Sequence, residues 1–185
     1  TVAQMGSRNI LATLSAQWSV LTDAQRKAWN GAVDAWQKTD VFGDLRKPTG
    51  KNLFTSLNKN LLGVSKTAIL SPPAKVDMPA IDRLTATLNV TASTLTFSIT
   101  TVPANMVLQV SATAPLNKGV SFYSGKHRVI ANVATGAITP ATMYTAYVAK
   151  FGAVPAGANI NFSLKYIAAN GQAGVPATST ASVTP

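Results

Sequence analysis

The sequence predicts an α+β protein: a short N-terminal helical region followed by an antiparallel β-sandwich. Three observations carry that expectation. Over residues 1–66 apolar positions recur every three or four residues; from Ile81 onward they alternate with polar ones; and residues 67–80 between them carry Pro72, Pro73 and Pro79. The first spacing is that of one helix face and the second that of a half-buried strand. The prolines forbid a helix and favour an extended, fairly stiff connection. The expected organisation is therefore a helical docking region at 1–66, a linker at 67–80 and a sandwich at 81–185.

The helical region reads as three pieces. Leu11, Leu14, Trp18 and Leu21 share one face of the first. Thr22 then serves as an N-cap, and Gln25, three residues on, completes a capping box, with Asp23 favourable to the helix dipole. The second helix presents Trp29, Val33 and Trp36, with Ala24, Ala28 and Ala32 permitting close approach. Residues 39–48 read as a loop. A third helix starts near Thr49, carries Leu53, Phe54, Leu57, Leu61 and Leu62, and stops at Gly63.

In the second region the alternating sets are Leu84/Ala86/Leu88/Val90, Leu95/Phe97/Ile99, Leu108/Val110/Ala112 and Ile160/Phe162/Leu164/Tyr166. Further strands are expected at 127–133, 142–151 and 174–183. Short strands separated by turns such as Pro103-Ala-Asn105 and Ala169-Asn-Gly171 point to a sandwich.

Composition narrows the function. The chain has no cysteine and no glutamate, a single histidine (His127), and six aspartates, all within its first 82 residues. General acid–base work, activated nucleophiles and metal sites draw on those residue types. Their scarcity moves the expectation away from an enzyme, and no cofactor is implied. Charged residues are only 12% of the chain, so much of its surface is uncharged and cheap to desolvate, as suits a protein packed against neighbours. The net charge is +10, which favours acidic partners, including loose contact with DNA. It is spread out, +6 over residues 1–75 and +4 over 76–185, with no basic run longer than two. No stretch approaches the roughly 20 apolar residues of a membrane span. The opening residues Thr1-Val-Ala-Gln-Met5 lack the charged-then-apolar layout of a secretion leader.

Each candidate site has two readings. Trp18, Trp29, Trp36 and Phe54 are read first as the core of a small helical region, and alternatively as an assembly or stacking surface. Asp40-Val-Phe-Gly-Asp44 is read as a solvated turn rather than a metal loop, since it lacks closely spaced oxygen ligands. Lys126, His127 and Arg128 form a basic patch at the start of a strand. With Lys118, Lys150 and Lys165 they make a candidate contact surface on the sandwich, against the plainer reading of a solvated face. No Ser-His-Asp arrangement, phosphate-cradling loop or nucleotide fingerprint is present.

The stretch Trp18-Ser-Val-Leu-Thr-Asp-Ala-Gln-Arg-Lys-Ala-Trp29, followed by Gly50-Lys-Asn-Leu-Phe-Thr-Ser-Leu-Asn58, resembles small virion proteins of tailed bacteriophages. In those proteins a proline-bearing linker and a fibronectin-III-like sandwich follow, and Phe162 to Gly174 is similar to the last two strands of such sandwiches. The resemblance rests on about 40 residues. It implies an Ig/fibronectin-III-like second domain and a non-enzymatic structural part of the virion: an accessory capsid, portal, neck or tail component. Its partners would be other virion proteins and further copies of itself, with no membrane. It assigns no catalytic, cofactor or metal residue. The alternative is a secreted or surface Ig-like adhesion module.

Overall fold

The computed structural model describes residues 2–117, 119–120, 122–123 and 125–184. The chain divides into two compact units: Thr1–Asp77 with Ala169–Ala173, and Met78–Ala168 with Gly174–Pro185. The fold is mixed α+β.

In the first unit, helix α1 (Val2–Val20) leads into α2 (Asp23–Ala32) and a 3-10 turn (Val33–Trp36). A hairpin of β1 (Lys38–Thr39) and β2 (Leu45–Arg46) precedes α3 (Gly50–Gly63). The Thr22 capping box forms: Thr22 Oγ1 accepts from the Gln25 amide at 3.2 Å, and the Thr22 amide donates to Gln25 Oε1 at 2.9 Å. Thr49 caps α3 with its side chain alone, its Oγ1 accepting from the Asn52 amide. The buried face of α1 runs through Leu14 and, just past the helix, Leu21, with Ile10 and Trp18 packed against it. Leu11 is exposed, so the expected face was one position off; Ile10, at i−4 from Leu14, takes its place.

Trp29 and Phe54 are fully buried at the centre of this unit. Their rings meet edge-on at 5.4 Å, and Trp18 tilts against Phe54 at 5.5 Å. Such pairs add to the burial free energy of each large side chain. Residues 67–77, most of the segment 67–80 expected as a stiff linker, group with the helices. The Trp29 indole N–H donates to the Leu70 carbonyl at 2.9 Å. The side chain of Asn58, fully buried, donates to the Ile69 carbonyl and accepts from the Ile69 amide. Gln172 does the same for Val76, at 2.7 and 3.0 Å. A side-chain amide carries one acceptor and two donors, so it can stand in for the strand partner a proline-interrupted segment lacks.

In the second unit, β3 (Ala86–Asn89), β4 (Thr94–Phe97), β5 (Thr101–Val102), β6 (Met106–Ala112), β7 (Arg128–Val133) and β8 (Gly136–Ala137) are followed by helix α4 (Pro140–Phe151), then β9 (Asn159–Ala168) and β10 (Ala177–Thr184). Six strands form one sheet in the order β4-β3-β10-β9-β6-β7, and β5 pairs with β8. The described ladders of this unit are antiparallel except β3–β10, which is parallel and correct the fully antiparallel expectation at that point.

The sheet is strongly curved. Laid flat, β4 and β9 would stand about 14 Å apart, three strand spacings. Yet the Phe97 ring on β4 meets the Phe162 ring on β9 at 5.5 Å. The sheet therefore curves enough to bring the core faces of β4 and β9 toward each other, and its strands share a core that includes Leu88, Leu95, Leu108, Val110, Ile160 and Leu164.

Residues 142–151, expected as a strand, lie in α4. Met143 and Tyr147 point into the core one helical turn apart, and Pro140 occupies the first turn, where its missing N–H costs nothing. Tyr147, fully buried, donates its hydroxyl to the Thr113 carbonyl at 3.0 Å. Burial pushes its phenol well above the usual range.

Candidate functional site: a basic cleft in the helical unit

The expected contact residues separate once placed. Trp29 and Phe54 have no exposed surface and Trp36 has 6%, so all three side chains are packed into the core. Trp18 is half-buried against Phe54. The reason is the size of the unit: a small helical core needs its largest side chains inside.

The basic patch also dissolves as a single surface. Arg128 folds its guanidinium back onto the Gly125 and His127 carbonyls, both at 2.8 Å. Arg128 stands in the row Arg128–Ala112–Phe162, whereas Lys165 stands opposite Gln109. Phe162 and Lys165 are three residues apart on one strand, so the two cations point to opposite faces. Lys126 is exposed on the preceding turn, Lys150 lies in the last turn of α4, and Lys118 is outside the described residues. His127 is half-buried, with Nε2 at 2.7 Å from Asn161 Oδ1. Because Asn161 Nδ2 donates to Thr180, Oδ1 is left to accept, and the His127 Nε2 carries the proton. The imidazole is thus held in a structural contact with an amide.

The turn Asp40-Val-Phe-Gly-Asp44 closes the β1–β2 hairpin. Asp40 Oδ1 accepts from the Phe42 and Asp44 amides at 2.8 and 3.1 Å, and its Oδ2 accepts from Arg46 Nε at 2.8 Å. The Phe42 amide and then Arg46 hold the Asp40 carboxyl below its ordinary value. Its oxygens are engaged by the hairpin itself. The tip carries Val41 and Phe42, 92% and 84% exposed.

Beside this hairpin the first unit has a cleft of about 420 Å³. Sequence reasoning missed it. Buried Trp36, Leu53 and Leu57 supply an apolar floor. Asn52, Ser56 and Asn60 project from α3 at four-residue steps, each an advance of about 6 Å. Exposed Lys38, Arg46 and Lys47 stand beside them, and Lys75 and Gln172 complete the wall. None of the lining residues is acidic. Lys47 pairs with Asp34, and the hydrogen bond and charge of Lys47 hold that carboxyl below its ordinary value. Lys38 and Lys75 have no carboxylate partner among the described residues.

Two details fix the wall. Gly171 adopts φ +82°, and a Cβ there would lie 2.5 Å from the Leu57 carbonyl oxygen. Only glycine permits that approach. Asn60 then donates to the Gly171 carbonyl at 2.9 Å, which leaves its own Oδ1 free to accept. The lining has cations, side-chain amides and one hydroxyl, Ser56, without an imidazole or carboxylate to activate it. That is equipment for holding an anionic group rather than for transferring a proton.

The single signal in the sequence was indirect: Lys38, Arg46, Lys47 and Lys75 flank α3, but nothing placed them together until segment 69–76 was seen bound to the helices. No protein-family model, curated protein or solved structure gives a significant match to this chain.

Proposed function

We propose that the chain is a non-enzymatic structural protein of a tailed-bacteriophage particle, an accessory capsid component or part of the portal, neck or tail, acting through assembly in many copies. The observation that carries this reading is that Asp34, Asp40 and His127 are engaged in structural contacts and that the cleft lining holds neither the chain's histidine nor any of its aspartates. Asp40 caps a turn, Asp34 pairs with Lys47, and His127 is held by Asn161. The cleft gathers groups that bind and none that activate.

Low charge over the whole chain lowers the desolvation cost of subunit contacts. Contacts repeated by symmetry need not be strong singly, because all must break together. Other virion proteins and copies of the chain are the partners in this reading, with the +10 net charge available for loose contact with DNA. The second unit is assigned to an Ig/fibronectin-III-like sandwich in which α4 replaces a strand. The curvature that brings Phe97 on β4 against Phe162 on β9, around one shared core, supports that assignment.

The test is to probe gradient-purified phage particles, culture supernatant and cell surfaces with an antibody to the chain. Co-sedimentation with particles is the expected result. Signal in supernatant or on cells, with none in the particle band, would overturn the reading in favour of a secreted or surface adhesion module.

A further inference from the structure

We propose that the basic cleft of the helical unit is a binding site for an extended acidic peptide segment of another protein chain. This goes beyond the virion reading and does not depend on it. Charge comes first: Lys38 and Lys75 face the cleft without a carboxylate partner among the described residues, and no acidic side chain lines it. Two unpaired cations at one concavity leave a local potential that an acidic ligand would neutralise.

Shape and hydrogen bonding narrow the ligand class. Asn52, Ser56 and Asn60 repeat at about 6 Å along α3, close to the roughly 6.6 Å between alternate residues of an extended chain. Amide and hydroxyl side chains both donate and accept, which matches the alternating N–H and C=O of a peptide backbone. A phosphate backbone offers acceptors alone. Half-buried Pro48 and exposed Ala173 give the lining accessible apolar surface that suits alternate aliphatic side chains. Single-stranded nucleic acid binds by stacking bases on exposed rings, and Trp36, the one ring in the lining, is 6% exposed. Within this same unit, Gln172 already holds one extended segment by pairing both ways with the Val76 backbone.

The experiment is fluorescence anisotropy with the full chain and a labelled peptide of about eight residues alternating Glu and Leu. The comparison probes are the Gln/Leu version of that peptide and a single-stranded oligonucleotide of equal length. The expected result is saturable binding of the Glu/Leu peptide at least about tenfold tighter than either comparison probe. The double variant Lys38→Gln/Lys75→Gln should lose at least about tenfold in affinity, and Lys126→Gln/Arg128→Gln, in the other unit, should change it less than about twofold. Asn52→Asp is the safeguard against misfolding. It places a carboxylate in the first turn of α3, where the helix dipole favours it, so the fold is kept while acidic peptide is repelled. Unchanged binding in the folded Asn52→Asp and Lys38→Gln/Lys75→Gln proteins would overturn the proposal. So would equal affinity for the Gln/Leu peptide, or tighter binding of the oligonucleotide.

Discussion

Asn58 shows how much of the first unit rests on single polar side chains. It is fully buried, and both ends of its amide are spent on Ile69. Asn58→Ala would leave a buried N–H and C=O unpaired, at a cost of about 1–3 kcal/mol. Urea denaturation should show that loss as a lower midpoint with an unchanged slope. Gly171→Ala tests the other side of the cleft. The left-handed backbone there costs a non-glycine residue about 1–2 kcal/mol, and the methyl group would press on the Leu57 carbonyl. A loss of at least that size in thermal unfolding is expected, together with weakened Asn60–Gly171 bonding. Neither residue was legible in the sequence. A buried asparagine is written like an exposed one, and Gly171 reads as an ordinary turn glycine. The large apolar residues were legible because hydrophobicity and size leave Trp29 and Phe54 nowhere else to go in so small a unit.

At the scale of elements, legibility followed the strength of the local signal. The Thr22/Gln25 box marks the start of α2 unambiguously, and Thr22→Ala should cost about 1 kcal/mol, checked by thermal unfolding. Helix α4 was misread because its run of Met143, Tyr144, Tyr147, Val148 and Phe151 also satisfies strand propensity. Pro140 just ahead of it, and apolar residues four apart at 143, 147 and 151, were the helical signals available. The β1–β2 hairpin is too short for periodicity to reveal, but its Asp40 turn makes a pH prediction. The Asp40 carboxyl is held below its ordinary value of 3.8, so the folded hairpin prefers the charged form. Its contribution is complete above 3.8 and is lost as pH falls through the lower, folded-state value. Amide exchange at Phe42 and Asp44 should therefore speed up below that range relative to the α3 amides, after correction for intrinsic pH dependence. Asp40→Asn should abolish the difference.

For the whole molecule, the change of hydrophobic period at Ile81 announced two units, since each period demands its own kind of core. The boundary itself moved. Residues 67–77 and the turn 169–173 join α3 and each other through side-chain amides, and hydrogen bonds between separate stretches leave no periodic trace. The cleft stayed hidden for the same reason, because its lining comes from five separate stretches of chain. Multi-copy assembly in a phage particle is the claim on which the functional account turns. Quantitative mass spectrometry of density-gradient fractions measures it most directly, with the chain scaled to the major capsid protein. The account predicts a fixed ratio across every fraction that contains particles, whatever the particle yield. A ratio that drifts between fractions, or a chain missing from intact particles, would contradict it.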